Sequence, residues 1–198
     1  TVGSLLLKFP PAEIKDFRRE LDLDAATATV SYTAGEVKHR REVFSSAPDD
    51  VIVVRLTADK PGSIAFTAGM ESPMSAVSVS TAGADTLVLK GEGADWNGIE
   101  GVIDFESRVK IVAKGGKVSS SGQEIAVEGA DSVLLLIAAA TNFVRFDDVT
   151  GDPEARVMEA LSAVAGKSFE SLQIAHWEDY QPLFRRVTID LGKTEAAR

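Results

Sequence analysis

No cysteine occurs anywhere in this chain. Disulfides and thiolate metal sites are therefore excluded, and the redox compartment leaves no trace in the sequence. Histidine is nearly as scarce, with only His39 and His176. No HExxH helix motif and no GxSxG nucleophile turn is present, which removes the usual sequence basis for a zinc hydrolase or a serine hydrolase. Positive charge is short as well: 21 Lys and Arg stand against 30 Asp and Glu, for a formal net charge of -9. A nucleic-acid partner calls for a basic stripe, and an anionic membrane surface calls for basic clusters; the balance argues against both. Long hydrophobic runs are missing too. The longest, SVLLLIAAAT at 132–141, is far below the roughly 20 residues that cross a bilayer as a helix. No cofactor fingerprint appears. The glycine-rich stretch GEGADWNGIEG at 91–101 leads into a strand pattern, whereas a phosphate-binding loop opens a helix.

What is present is alternation. Hydrophobic residues make up 44% of the chain, enough for a core, and most recur with a period of two. Residues 17–58 read as four short strands joined by tight turns. Leu21 and Leu23 alternate with Glu20, Asp22 and Asp24, and Val30 and Tyr32 with Thr29, Ser31 and Thr33. Ala34-Gly35 and Ala47-Pro48-Asp49-Asp50 carry turn chemistry. The expected product is an antiparallel meander with one wet face. Further strands are expected at 2–9, 63–70, 86–90 and 103–111, where Ile103, Phe105, Val109 and Ile111 share one face and Asp104, Glu106, Arg108 and Lys110 the other. Gly115-Gly116 suits a hairpin, Ile125 and Val127 mark another strand, and 133–140 suits a strand buried on both faces. Residues 72–83 read as polar and weakly patterned.

After Asn142 the period changes to that of a helix. Asp152-Pro153-Glu154 is a helix start, and Ser168 can cap a second helix carrying Phe169, Leu172, Ala175, His176, Tyr180 and Phe184. Pro182 predicts a kink or an end nearby. Val187, Ile189 and Leu191 alternate again. The division that follows is an antiparallel β-sandwich over 1–150, a helical segment over 151–185 that packs on the sandwich or leads toward a further domain, and a returning strand over 186–192. The chain starts without Met or a basic leader, so it reads as a segment of a longer protein.

Chemistry is sparse. His39 sits among Lys38, Arg40 and Arg41, which suits a solvated strand face better than a metal site; His176 fits a structural hydrogen bond. The pairs Asp49-Asp50 and Asp147-Asp148 fit turn capping, because neighbours in a strand point to opposite faces. Trp177, Tyr180 and Phe184 fit helix packing against the sheet. Trp96 and Asn97 are the candidates for a substrate rim: an indole beside an amide can stack on a sugar and bond its hydroxyls. The alternative is that Trp96 folds back as a plug over the sandwich edge.

Three stretches resemble the N-terminal region of glycoside hydrolase family 95. These are FRRELDLDAATATVSYTAGEVKHRREVFSSAPDDVIVVRLTADKPGSIAF, EGADSVLLLIAAATNFVRFDDVTGDPEARV and AHWEDYQPLFRRVTIDLG. The most distinctive element is His176, Asp179, Tyr180, Gln181, Leu183 and Phe184, followed by Arg186-Val187 and Asp190-Leu191-Gly192. The resemblance implies a mainly β fold, a two-sheet supersandwich with a C-terminal helix pair. It implies a role as the non-catalytic N-terminal domain of an α-L-fucosidase-like enzyme, with a catalytic (α/α)6 barrel beyond residue 198 and an LGNGRLGAM-like run before residue 1. The implied partners are that barrel and a fucosylated glycan, and the implied compartment is secreted or periplasmic. No catalytic residue of the family falls on any position here, and no metal or cofactor is expected. An autonomous carbohydrate-binding module is the alternative.

Overall fold

The computed structural model describes residues 2–74, 76–95, 97–190 and 192. Twelve strands and two helices form among them. The strands are β1 Ser4–Lys8, β2 Ile14–Asp22, β3 Thr27–Ala34, β4 Val37–Ser46, β5 Val51–Ala58, β6 Ile64–Glu71, β7 Val77–Ala82, β8 Thr86–Glu92, β9 Asp104–Lys114, β10 Lys117–Ser121, β11 Glu124–Ala130 and β12 Ser132–Thr141. The helices are α1 Pro153–Ala163 and α2 Phe169–Phe184. All pairings are antiparallel, in an eight-stranded sheet β2-β3-β4-β5-β12-β9-β8-β7 and a four-stranded sheet β1-β6-β11-β10. The four strands read from 17–58 are β2 to β5, in meander order.

Alternation fixes which side chains meet. Val54, Leu56, Leu87, Val109, Ile111, Val133 and Leu135 of the large sheet face Ile64, Phe66, Ala68, Ile125 and Val127 of the small one, and all are buried. This is the sandwich core. The odd-numbered residues of β5, Val51 and Val53, point the other way with Phe44, Leu136 and Ala138. There they meet Val157, Val164, Phe169 and Leu172 of the helical segment. The molecule is thus three layers, small sheet on large sheet on helix pair, with two apolar seams. The β9–β10 hairpin turns through Gly115 and Gly116 at φ +71 and +66, the paired left-handed conformation that a two-residue hairpin needs and glycine supplies.

Both helix starts form as their sequences dictate. Asp152 Oδ1 accepts the Ala155 N–H at 3.0 Å, with Pro153 in the first turn, and Ser168 Oγ accepts the Ser171 N–H at 3.1 Å. α2 runs through Pro182 and stops two residues later at Phe184.

Four features differ from the reading of the sequence. Strand β7 occupies 77–82, within the stretch read as weakly patterned; its alternation is only Val against Ser at a sheet edge, where little is buried. The face of β9 carrying Glu106 and Arg108 is dry, because α1 lies across it: Glu106 is 1% exposed. His39 is not on the wet face. It shares a face with Arg41 and Val43, is half-buried, and stacks on Tyr32 at 5.2 Å between ring centres. Burial lowers the His39 pKa, and the Asp59 carboxylate opposes that shift. The returning strand expected over 186–192 does not form among the described residues: 187–190 are outside any strand, and Val187 and Ile189 are both 83% exposed. Alternation supplies a face, but a strand also needs an edge to pair with. Leu191 lies outside the described residues.

Candidate functional site

A cleft of about 600 Å³ lies between the outer face of β7, β8 and β9 and the N-terminus of α1. Lys90, Glu92, Asp104, Glu106, Asp152 and Glu154 provide its polar lining, with Val77, Gly91 and Phe105 beneath. Residues 93–103 connect two of its strands, since Glu92 ends β8 and Asp104 begins β9.

That loop is tied at its base. The Gly93 N–H donates to the Ile103 carbonyl at 2.8 Å, and Asp95 Oδ1 accepts the Gly101 N–H at 2.9 Å. Gly101 has no room for a side chain, because a Cβ there would lie 2.1 Å from the Gly93 carbonyl oxygen. Asn142 is the central pin. Its Nδ2 donates to the Val102 carbonyl at 2.9 Å, its Oδ1 accepts the Asp104 N–H at 3.1 Å, and its carbonyl accepts the Gly151 N–H at 2.9 Å. One buried residue, through its side-chain amide and its main-chain carbonyl, therefore joins the loop, the end of β12 and the approach to α1. Sequence reasoning missed Asn142, because a lone Asn after an apolar run carries no periodic signal. Of the two rim candidates, Asn97 sits in an exposed turn at φ 51. Trp96 lies outside the described residues.

Two of the cleft's acids, Glu106 and Glu154, are committed to cations. Glu106 accepts from Arg108 Nε at 2.5 Å and pairs with Lys90 at 3.1 Å. Glu154 pairs with Lys90 at 2.7 Å and with Arg108 at 2.5 Å. Hydrogen bonds from Lys90 and then Arg108 hold the Glu154 carboxyl below the usual carboxylate range, and Glu154 in turn raises Lys90. A carboxyl that must protonate a leaving oxygen needs the opposite perturbation. Each charge is matched inside the group, so the arrangement fastens α1 to β8 and β9. Among the described residues no three His, Asp or Glu side chains converge as metal ligands, and no helix is long and apolar enough to cross a membrane.

The motif at 176–185 has a different task. One face of α2 grips the β2–β3 turn. His176 Nε2 lies 3.1 Å from the Ala25 carbonyl oxygen, and Trp177 Nε1 donates to that same oxygen at 3.2 Å. The Tyr180 hydroxyl donates to the Leu23 carbonyl at 2.8 Å, Gln181 Nε2 to the Asp24 carbonyl at 3.2 Å, and Arg185 to the Asp24 carboxylate at 2.7 and 2.5 Å. Three successive carbonyls are thus satisfied by side chains one helical turn apart. The turn holds Ala26 at φ 43, a conformation costing a β-carbon residue about 1 kcal/mol, and the grip offsets that cost. The rings of Phe44, His176, Tyr180 and Phe184 stack in series at 4.9, 5.7 and 5.2 Å. The structural hydrogen bond expected of His176 is present. Trp177 and Tyr180 bind the turn, an addition to the packing role read from their spacing.

Comparison with known proteins accords with a domain of this kind. The chain is 34% identical over 218 aligned residues to "Alpha-L-fucosidase 2" of Arabidopsis thaliana, covering 96% of this chain and 26% of that protein. It is 30% identical over 194 residues to "Probable alpha-fucosidase A" of Aspergillus niger, covering 91% and 24%. The chain therefore spans about a quarter of the length of the curated relatives it matches. The solved structure titled "Putative kojibiose phosphorylase from human microbiome" shares the fold at a TM-score of 0.56 and 13% identity, covering 88% of this chain and 25% of that one. Residues 1–145 match the family described as "Glycosyl hydrolase family 65, N-terminal domain". The number differs from the family 95 named on sequence motifs, while the fucosidase names of the relatives agree with it. With nearly three quarters of its length matched in this way and its sheets stacked as a sandwich, the chain belongs to the glycosyl hydrolase family 65 N-terminal domain family.

Proposed function

We propose that this chain is the non-catalytic N-terminal domain of an α-L-fucosidase-like glycoside hydrolase, seated against the catalytic (α/α)6 barrel of the same polypeptide and contributing to its substrate rim. The observation that carries the reading is the paired state of Glu106 and Glu154: both answer Lys90 and Arg108, so the group braces a surface by fastening α1 to β8 and β9. The surface it braces is apolar. Ile99 and Val102 on the loop, and Phe143, Val144 and Phe146 on the turn beside it, are 46–93% exposed. Asn142 joins the two segments. Exposed apolar side chains grouped this way mark an interaction surface, and a domain of the same polypeptide is the partner that the length of the fucosidase relatives supports. The reading extends to a secreted or periplasmic parent, where fucosylated glycans are met, which cell fractionation checks.

Phe146→Glu tests the docking. Phe146 is 93% exposed, so the charge leaves the stability of this chain within about 0.5 kcal/mol. In the parent-length enzyme the same change lowers kcat/KM on an aryl α-L-fucoside or the melting temperature. An unaffected parent would remove the docking surface from that face. The second reading, an autonomous sugar-binding module, is favoured by the cleft at the ends of β8 and β9, the two strands between which Asn97 falls in the chain. Calorimetry with fucosylated oligosaccharides, repeated on Trp96→Ala and Asn97→Ala, decides it: heat that the variants abolish supports a module.

A further inference from the structure

The two sheets are unequal, eight strands against four, and the excess lies at one end. β11 packs over β7, β8 and β9, and β6 over β5 and β8. The order β1-β6-β11-β10 then places β1 on the β4 side of β6. There Phe9, just past β1, meets Phe66 at 5.5 Å and lies under the Arg41 guanidinium at 5.2 Å. No small-sheet strand packs appreciably on β2 or β3. Two strand positions, about 10 Å of sheet width, overhang without cover.

The overhang presents the interior face of the large sheet. Cross-strand register sets Leu21, Ala28 and Val43 in one row, Arg19, Val30 and Arg41 in the next, and Ile14, Ala34 and Val37 at the far end. Val43 packs on the core, yet Leu21 in its row is 65% exposed and Ile14 is 48% exposed. Arg41 Nε is buried without a hydrogen-bond partner, and neither Arg19 nor Arg41 forms an ion pair among the described residues. β1 pairs with β6 along one edge alone, and its Leu5 and Leu7 are only half-buried. An open edge beside an uncovered inner face is the geometry that accepts another strand.

We infer that a further extended segment of the parent polypeptide, from outside these 198 residues, pairs with the free edge of β1 and lies across β3 and β2. The reading rests on the parent being longer, as proposed above, and on the chain spanning about a quarter of its curated relatives. The segment has apolar side chains facing Leu21 and Val30, and sets a carboxylate or a main-chain carbonyl against Arg41. A strand fits better than a helix because about half of the β1 amides and carbonyls point to the open side, where only a ladder satisfies them in register.

The absence of cysteine makes a clean test. Leu21→Cys supplies a single thiol, read by maleimide labelling in this chain and in a parent-length enzyme otherwise free of reactive thiols. Hydrogen exchange of wild-type β1 is read in both lengths. The expected result is labelling slowed at least tenfold in the parent, together with new protection of β1 amides. Slowed labelling with β1 amides unprotected assigns the cover to a docked domain and overturns the inference. Protection that appears in this chain alone, rises with concentration and tracks a doubled mass assigns it to a second copy, and also overturns it. A parent that turns over fucoside while β1 stays unprotected defeats this inference and leaves the proposed function standing.

Discussion

Replacing His176 tests the assignment of the 176–185 motif to a structural grip. The imidazole is 4% exposed, stacks on Phe44 at 4.9 Å, and reaches the Ala25 carbonyl at 3.1 Å. His176→Ala removes the buried ring, its stacking and the hydrogen bond. Large-to-small changes at buried rings cost about 3–5 kcal/mol for Phe or Trp. An imidazole is smaller, so about 2–3 kcal/mol is expected, of which stacking supplies roughly 0.5–1.5 and the hydrogen bond about 1. The Ala25 oxygen is not orphaned, because Trp177 still donates to it at 3.2 Å. His176→Phe should therefore keep most of the stability and cost about 1 kcal/mol or less. Urea unfolding followed by tryptophan fluorescence measures both. At roughly 2–4 °C per kcal/mol for a chain of this size, the alanine variant melts about 5–10 °C lower. Two variants equal to each other, or both equal to wild type, would refute the grip.

Glu106→Ala takes one of two carboxylates from Arg108, whose side chain is 9% exposed, and leaves it Glu154 alone. Loss of a buried partner costs about 3 kcal/mol, read by urea unfolding, and Glu106→Leu with Arg108→Met should recover most of it. His39 supplies the pH dependence. Its folded pKa is depressed by burial, so protonation favours the unfolded chain. Stability is whole above the unfolded value near 6.5 and declines as pH falls through it. The urea midpoint should drop between pH 7.5 and 5, and His39→Gln should flatten that part of the drop.

Much of the fold was legible because period-two burial is written residue by residue. In β5, Val54 and Leu56 face one seam while Val51 and Val53 face the other, and a sequence can carry that. The helix caps Asp152 and Ser168 were legible because their chemistry is local. What alternation does not carry is the identity of the next layer. The polar face of β9 is covered by α1, and His39, read as solvated, is half-buried against Tyr32. The site was less legible still. Asn142 acts through main-chain groups some 40 residues away, and the Lys90–Glu106–Arg108–Glu154 group joins β8, β9 and α1. Such contacts leave no spacing to read. The motif at 176–185 was readable as a family signature, while the turn it grips lies about 150 residues earlier.

The central proposal is that the chain is the non-catalytic domain of a longer enzyme. The direct measurement is turnover of an aryl α-L-fucoside by the purified 198-residue chain, with the parent-length enzyme under the same conditions. The account predicts release by the parent and none above the uncatalysed rate by the chain alone. Saturable turnover by the chain that survives repurification would contradict it.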